Sequence, residues 1–137
     1  MVAYSFKKEF GPPIQSGQKT GTIRGPRKRH AREGEHLQLF TGMRTKHCAK
    51  IIPDPVCRMV MPIAMDVRST RIDQIVVGEA KWELHRHGAD LFARRDGFED
   101  MGAMHAFWLK EHGSGLFRGF WICWVHWKDN GLSRYFQ

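Results

Sequence analysis

Apolar and polar positions alternate in short runs over the first two thirds of the chain, and that period of two predicts a series of strands. In Val2-Ala3-Tyr4-Ser5-Phe6 the large residues Val2, Tyr4 and Phe6 share one face and Ala3 and Ser5 the other. Gly11-Pro12-Pro13 admits at most a short irregular helix before a second short strand that ends at Arg24. Gly34-Glu35 turns the chain into a strand over 36–40, and Thr41-Gly42 turns it into another over 43–52, stopped by Pro53-Asp54-Pro55. Residues 60–67 and 72–77 are two further β-rich runs, the former pushed toward an edge or a bulge by Pro62. Residues 80–85 alternate with Trp82 and Leu84 expected inward.

The period then changes. Residues 89–95 suit a short helix, Gly97-Phe98 breaks it, and Asp100 is the expected N-cap of a second helix with Met101, Met104, His105 and Trp108 on one face. Gly113-Ser114-Gly115 stops that helix. Residues 116–127 form a long aromatic strand whose 120–125 segment is apolar on both faces, as in a central strand covered on both sides. These elements predict an α+β fold: a small mixed β-barrel with two short helices packed outside, forming one domain over residues 1–137.

Charge adds a direction to this picture. The net charge is +8, and residues 1–52 hold 11 Lys and Arg against 3 acidic residues, while the rest of the chain is balanced at 11 against 11. The excess can form one field that attracts polyanions, or it can serve solubility alone. Arg24, Arg27, Lys28, Arg29 and Arg32 crowd nine residues, with Arg44 and Lys46 on the following hairpin. Such a patch suits phosphate oxygens and favours a polynucleotide or a phosphorylated ligand over a free nucleoside; the plain alternative is a solvated loop. Trp127, nearest the end of its strand, is the candidate for an exposed base-stacking platform.

Three cysteines, Cys48, Cys57 and Cys123, cannot all pair, and residues 1–10 do not resemble a secretory signal, so a reduced cytoplasmic setting is expected. The longest apolar stretch is too short to span a bilayer. His47-Cys48 with Cys57, and His85 with His87, supply metal-ligand types, but without a closely spaced pair of cysteines they are expected to be core or surface residues. No metal and no cofactor are expected.

The candidate chemistry lies in Gly17-Gln18-Lys19-Thr20-Gly21-Thr22-Ile23-Arg24. In a regular strand Thr20, Thr22 and Arg24 share one face. Lys19 joins Thr22 only through a kink at Gly21, or else it lies in the turn before the strand. From spacing alone, an ordinary Thr-rich edge strand with solvated charges explains the stretch as well.

The pattern Gly17-x-Lys19-x-x-Thr22-x-Arg24 resembles the signature near the start of the ASCH domain, a small barrel of the PUA-like superfold associated with RNA. Ala93-Arg94-Arg95-Asp96-Gly97-Phe98, followed by a helix with Phe107-Trp108, resembles that family's Ala-x-x-Glu-Gly-Phe segment and its helix ending in an aromatic pair. The resemblance implies a ligand cleft between the two motifs. It also implies one of three activities: removal of the acetyl group from acetylated cytidine, cleavage of single-stranded RNA, or binding of RNA without catalysis.

For the amidohydrolases it implies a catalytic set of Lys19, Thr22 and Asp96. Threonine would be the nucleophile and a lysine of lowered pKa its base, with Asp96 orienting the lysine or handling the leaving-group proton and Arg24 facing the developing oxyanion. The family's glutamate is an aspartate here, one methylene shorter. A shift of about 1 Å in a catalytic group can cost on the order of a hundredfold in rate.

Overall fold

The computed structural model describes residues 1–137. In chain order its elements are β1 (Val2–Phe6), α1 (Gly11–Ser16), β2 (Gly21–Arg24), β3 (Leu37–Thr41), β4 (Ala49–Lys50), β5 (Met59–Val67), β6 (Ile72–Val77), β7 (Trp82–Glu83), α2 (Ala89–Arg95), α3 (Met101–His112) and β8 (Gly115–Cys123). Short 3₁₀ turns at Lys8–Phe10, Arg86–Gly88 and Ser133–Tyr135 complete it.

The fold is α+β with two sheets, ordered β1-β3-β4 and β2-β8-β5-β6-β7. β1 runs parallel to β3, Val2 opposite Leu37 and Phe6 opposite Thr41, whereas the large sheet is antiparallel throughout. The alternation of β1 is as the pattern requires: Val2, Tyr4 and Phe6 are buried while Ser5 is exposed. β8 is central, between β2 and β5, and its two faces feed two cores. Trp121 and Cys123 join a cluster with Met65, Val77, Phe92, Met104 and Trp108 under α2 and α3; Ile122 joins Tyr4, Phe6, Leu37 and Leu39 under the small sheet. Burial on both sides is why this strand is apolar at successive positions.

Three expectations are corrected. The sheets do not close into a barrel: β1 and β2 are both edge strands. The two edges flank a cavity lined by Ser5 and Phe6 from one side and Thr22, Ile23 and Arg24 from the other. The Arg24 guanidinium spans this seam, its Nη2 donating to the Ser5 carbonyl at 2.7 Å. Three α-helices form, not two, because Pro12 and Pro13 fall in the first turn of α1, where no intrahelical N–H is required.

Only Ala49–Lys50 of the expected strand 43–52 pairs. Local bonds hold the remainder: the Thr45 hydroxyl and amide both donate to the Gly42 carbonyl, and the His47 amide donates to Thr45 Oγ1. Pro62 stands at a local edge, as its residue type requires: β5 pairs with β8 along its whole length, but its pairing with β6 starts only at Ile63. The Pro62 carbonyl accepts from the Gly78 amide, so its nitrogen faces beyond the paired end of β6, where a missing donor breaks no ladder bond.

Candidate functional site

Lys19 and Asp96 meet across 77 positions because the backbone ties their neighbours together. The Thr20 amide donates to the Arg95 carbonyl at 2.9 Å, and Asn130 Nδ2 donates to Thr20 Oγ1 at 3.1 Å. Lys19 therefore lies in the turn before β2, the second of the two placements open from the sequence. Gly21 forms no kink; it pairs regularly opposite Cys123. Glycine is required there for closeness, since a Cβ would sit 2.8 Å from Cys123 Sγ and 3.0 Å from the Ile122 carbonyl oxygen. Gly97, at φ 98°, lets the chain turn away from α2 while the Lys19 stem lies against it, 2.8 Å from where a Cβ would stand.

Lys19 Nζ donates to the Asp96 carbonyl at 2.6 Å and to Asp96 Oδ1 at 3.2 Å. The side chains of this pair are 4% and 7% exposed. Burial drives Lys19 below its ordinary value of 10.5, against the attraction of Asp96, and the nearby Arg24 charge pushes the same way. Burial likewise raises Asp96 above 3.8, against the attraction of Lys19. Both shifts favour the uncharged forms, because desolvation outweighs the pairing. The shorter aspartate still reaches the amine, helped by its own main-chain carbonyl.

Thr22 and Arg24 form a second couple: Arg24 Nε donates to Thr22 Oγ1 at 2.9 Å, leaving the hydroxyl proton free to be given elsewhere. Lys19, Thr22, Arg24 and Asp96 all line one cavity of about 280 Å³. That is the small end of the roughly 300–1,000 Å³ range of ligand pockets. Its remaining wall is largely aromatic. Phe10 meets Phe98 and Phe107 edge-on at 5.4 and 5.5 Å, and Lys19 Nζ lies 5.6 and 5.1 Å over the rings of Phe6 and Phe10.

Of this wall, the motif supplied Phe98 and the Phe107-Trp108 pair; Phe6, Phe10 and His112 were missed. His112 continues the helical stripe four residues beyond Trp108, a spacing that could have found it. Phe10 carries no signal in the sequence that it folds back over Lys19.

The basic residues divide. Arg29 is paired with Glu35, which also takes the N-terminal amine. Lys28 and Arg32 are exposed on a loop that is itself anchored: the Tyr4 hydroxyl bonds His30 Nδ1 at 2.9 Å, and the Ala31 amide donates to it at 3.1 Å. Arg27 stacks on the Tyr4 ring at 4.7 Å and lines a second hollow with Arg24 and Arg44. Lys46 is exposed and lines neither space.

Trp127 is not a platform: it is 8% exposed and packs on Phe136 at 5.3 Å and on Trp82 at 5.4 Å. Trp82 in turn is 38% exposed, where it was expected inward, because β7 is a two-residue edge strand and the ring covers Gly78 and Trp127. The cysteines are free, Cys48 exposed and Cys57 and Cys123 buried. No group of three or more His, Cys, Asp or Glu side chains converges in metal-binding fashion. No helix is long and apolar enough to cross a membrane. Scans of the chain against protein-family models, curated proteins and solved structures each returned no match. The likeness to ASCH domains therefore rests on Gly17 to Arg24, Ala93 to Phe98 and the Phe107-Trp108 pair.

Proposed function

We propose that the protein is an ASCH-type, PUA-like nucleotide-binding hydrolase that takes a modified base into the aromatic cavity and hydrolyses its exocyclic acetyl amide, as on acetylated cytidine. The observation that carries this reading is the buried Lys19–Asp96 pair, which shares one cavity with a threonine already bonded to a guanidinium. A neutral lysine has two N–H groups and one lone pair. With both N–H groups on Asp96, the lone pair is left to accept a proton.

In the proposed reaction Thr22 Oγ1 attacks the acetyl carbonyl carbon while Lys19 takes the hydroxyl proton. Arg24, on the same oxygen, offsets the charge that develops there and on the adjacent oxyanion. Collapse breaks the C–N bond, and the Lys19 ammonium returns its proton to the leaving amine. Water then attacks the acetyl-threonine ester as Lys19 takes its proton, and that proton passes to Thr22 Oγ1 as the C–O bond breaks and acetate leaves.

A second reading, a module that binds RNA without catalysis, is favoured by one observation: Thr22 is bonded to Arg24 and not to Lys19. Ribonuclease activity would instead shorten the polymer. Incubating purified protein with acetylated cytidine and with single-stranded RNA, read for both acetate and fragments, separates the three. Acetate without fragments is expected; fragments, or binding with neither product, would replace the hydrolase reading.

A further inference from the structure

The second hollow, also about 280 Å³, is lined by Ala3, Ser5, Arg24, Arg27, Met43 and Arg44. Three of its six residues are arginines and none is acidic. None of the three takes part in an ion pair anywhere in the molecule, whereas Arg29, Arg68 and Arg71 each have a carboxylate partner.

Two of the three guanidinium groups are positioned by the protein itself. The Tyr4 ring carries both Arg24, at 5.4 Å, and Arg27, at 4.7 Å. Arg27 Nε is fixed on the Arg29 carbonyl at 2.9 Å; Arg24 uses Nε and Nη2 on Thr22 and Ser5, leaving Nη1 free. Arg44 completes the lining from a backbone at φ 65°, in the left-handed region that residues other than glycine rarely adopt. The bonds within the turn Gly42 to Cys48 hold that conformation. Three like charges brought together with unused donors form a ready site for a tetrahedral oxyanion, which guanidinium groups bind through paired N–H bonds.

Arg24 and Ser5 belong to both the hollow and the main cavity. We infer that the hollow is a phosphate subsite, one guanidinium away from the reaction cavity, and that the ligand is a phosphorylated nucleoside unit whose phosphate is held by Arg24, Arg27 and Arg44. This rests on the reading that the main cavity takes the base. It also narrows the phosphate grip from the whole loop to three arginines, leaving Lys28, Arg29 and Arg32 outside it.

The test compares dissociation constants for cytidine, its 5′- and 3′-monophosphates and a cytidine-containing dinucleotide. Inorganic phosphate, followed by ³¹P NMR, reports on the hollow alone. At least one monophosphate or the dinucleotide should bind about tenfold or more tightly than cytidine. That ratio should collapse toward one in Arg44→Ala and in Arg27→Ala. A preference for a monophosphate identifies a free nucleotide, and a preference for the dinucleotide identifies the phosphodiester of RNA; either supports the subsite. Cytidine binding with no gain from any phosphate overturns the subsite and leaves the base reading standing. Arg44-dependent phosphate binding with no affinity for any nucleoside supports the subsite and removes the base reading. A ratio that falls as far in Lys28→Ala, whose side chain lies outside the hollow, assigns the gain to diffuse charge and overturns the proposal.

Discussion

Lys19 and Asp96 are each affordable in the interior only because of the other. Removing one partner of a buried pair costs about 3–5 kcal/mol, since the remaining group is left desolvated. Asp96→Ala should therefore lower stability by about that amount in denaturant unfolding, and Lys19→Met combined with Asp96→Ala should recover part of it. If the double variant is less stable than Asp96→Ala alone, Lys19 is not the group being compensated. The same burial has a kinetic side. Lys19 is held below 10.5, so its neutral form persists to lower pH than that of a free lysine, and the hydrolytic rate should rise with pH along a limb centred below that value. How much of this was legible varies with the kind of signal. Lys19, Thr22, Arg24 and Asp96 were picked out by motif, and the structure brings all four to one cavity. Phe6 and Phe10 were not, because an aromatic that lines a cavity and one that fills a core have the same local pattern. Trp127 misled for the same reason: its place at a strand end suggested exposure, but Trp82 and Phe136 cover it.

At the level of elements, β2 owes its position to a close approach against β8. Gly21→Ala would place a methyl 2.8 Å from Cys123 Sγ and 3.0 Å from the Ile122 carbonyl, and overpacking of this kind costs about 1–3 kcal/mol. Because Thr22 follows directly, the displacement should reduce hydrolysis more than the loss of stability accounts for; unchanged turnover at normal substrate affinity would show that β2 does not set the geometry of the nucleophile. Element boundaries set by local chemistry were readable. Asp100 caps α3 as expected, accepting from the Ala103 amide at 2.8 Å, and the aromatic run announced a strand buried on both faces, although β8 ends at Cys123 and leaves Trp124 to Trp127 beyond it. Pairing decided at a distance was not. The parallel match of β1 with β3 joins segments separated by the whole basic loop, and the turn after Gly42 is closed by side-chain hydrogen bonds that alternation does not encode.

Over the whole molecule, two sheets with unclosed edges leave a seam, and the seam carries the polar groups that neither core can accommodate. Charge is distributed accordingly: the three arginines of the seam lack carboxylates, while Glu35 gathers Arg29, the Arg32 amide and the N-terminal amine. The hydrogen bond from Arg29, with these others, lowers Glu35 from 4.5 to about 2. A carboxylate depressed in the folded state stabilises fully above its unfolded value, and the contribution disappears as pH falls from about 4.5 toward 2. Glu35→Gln should thus melt at a lower temperature than the parent near neutral pH, with the difference vanishing by about pH 2; a difference that persists there would place the effect elsewhere. At the scale of the whole site, the proposed hydrolysis makes Thr22 the nucleophile and Lys19 its base. The most direct test is acetate release from acetylated cytidine by the parent protein, Thr22→Ala and Lys19→Ala, each shown by circular dichroism to remain folded. The parent should release acetate measurably and both variants should lose at least about a hundredfold, the scale of general-base catalysis. Release at the parent rate by either folded variant would contradict these roles.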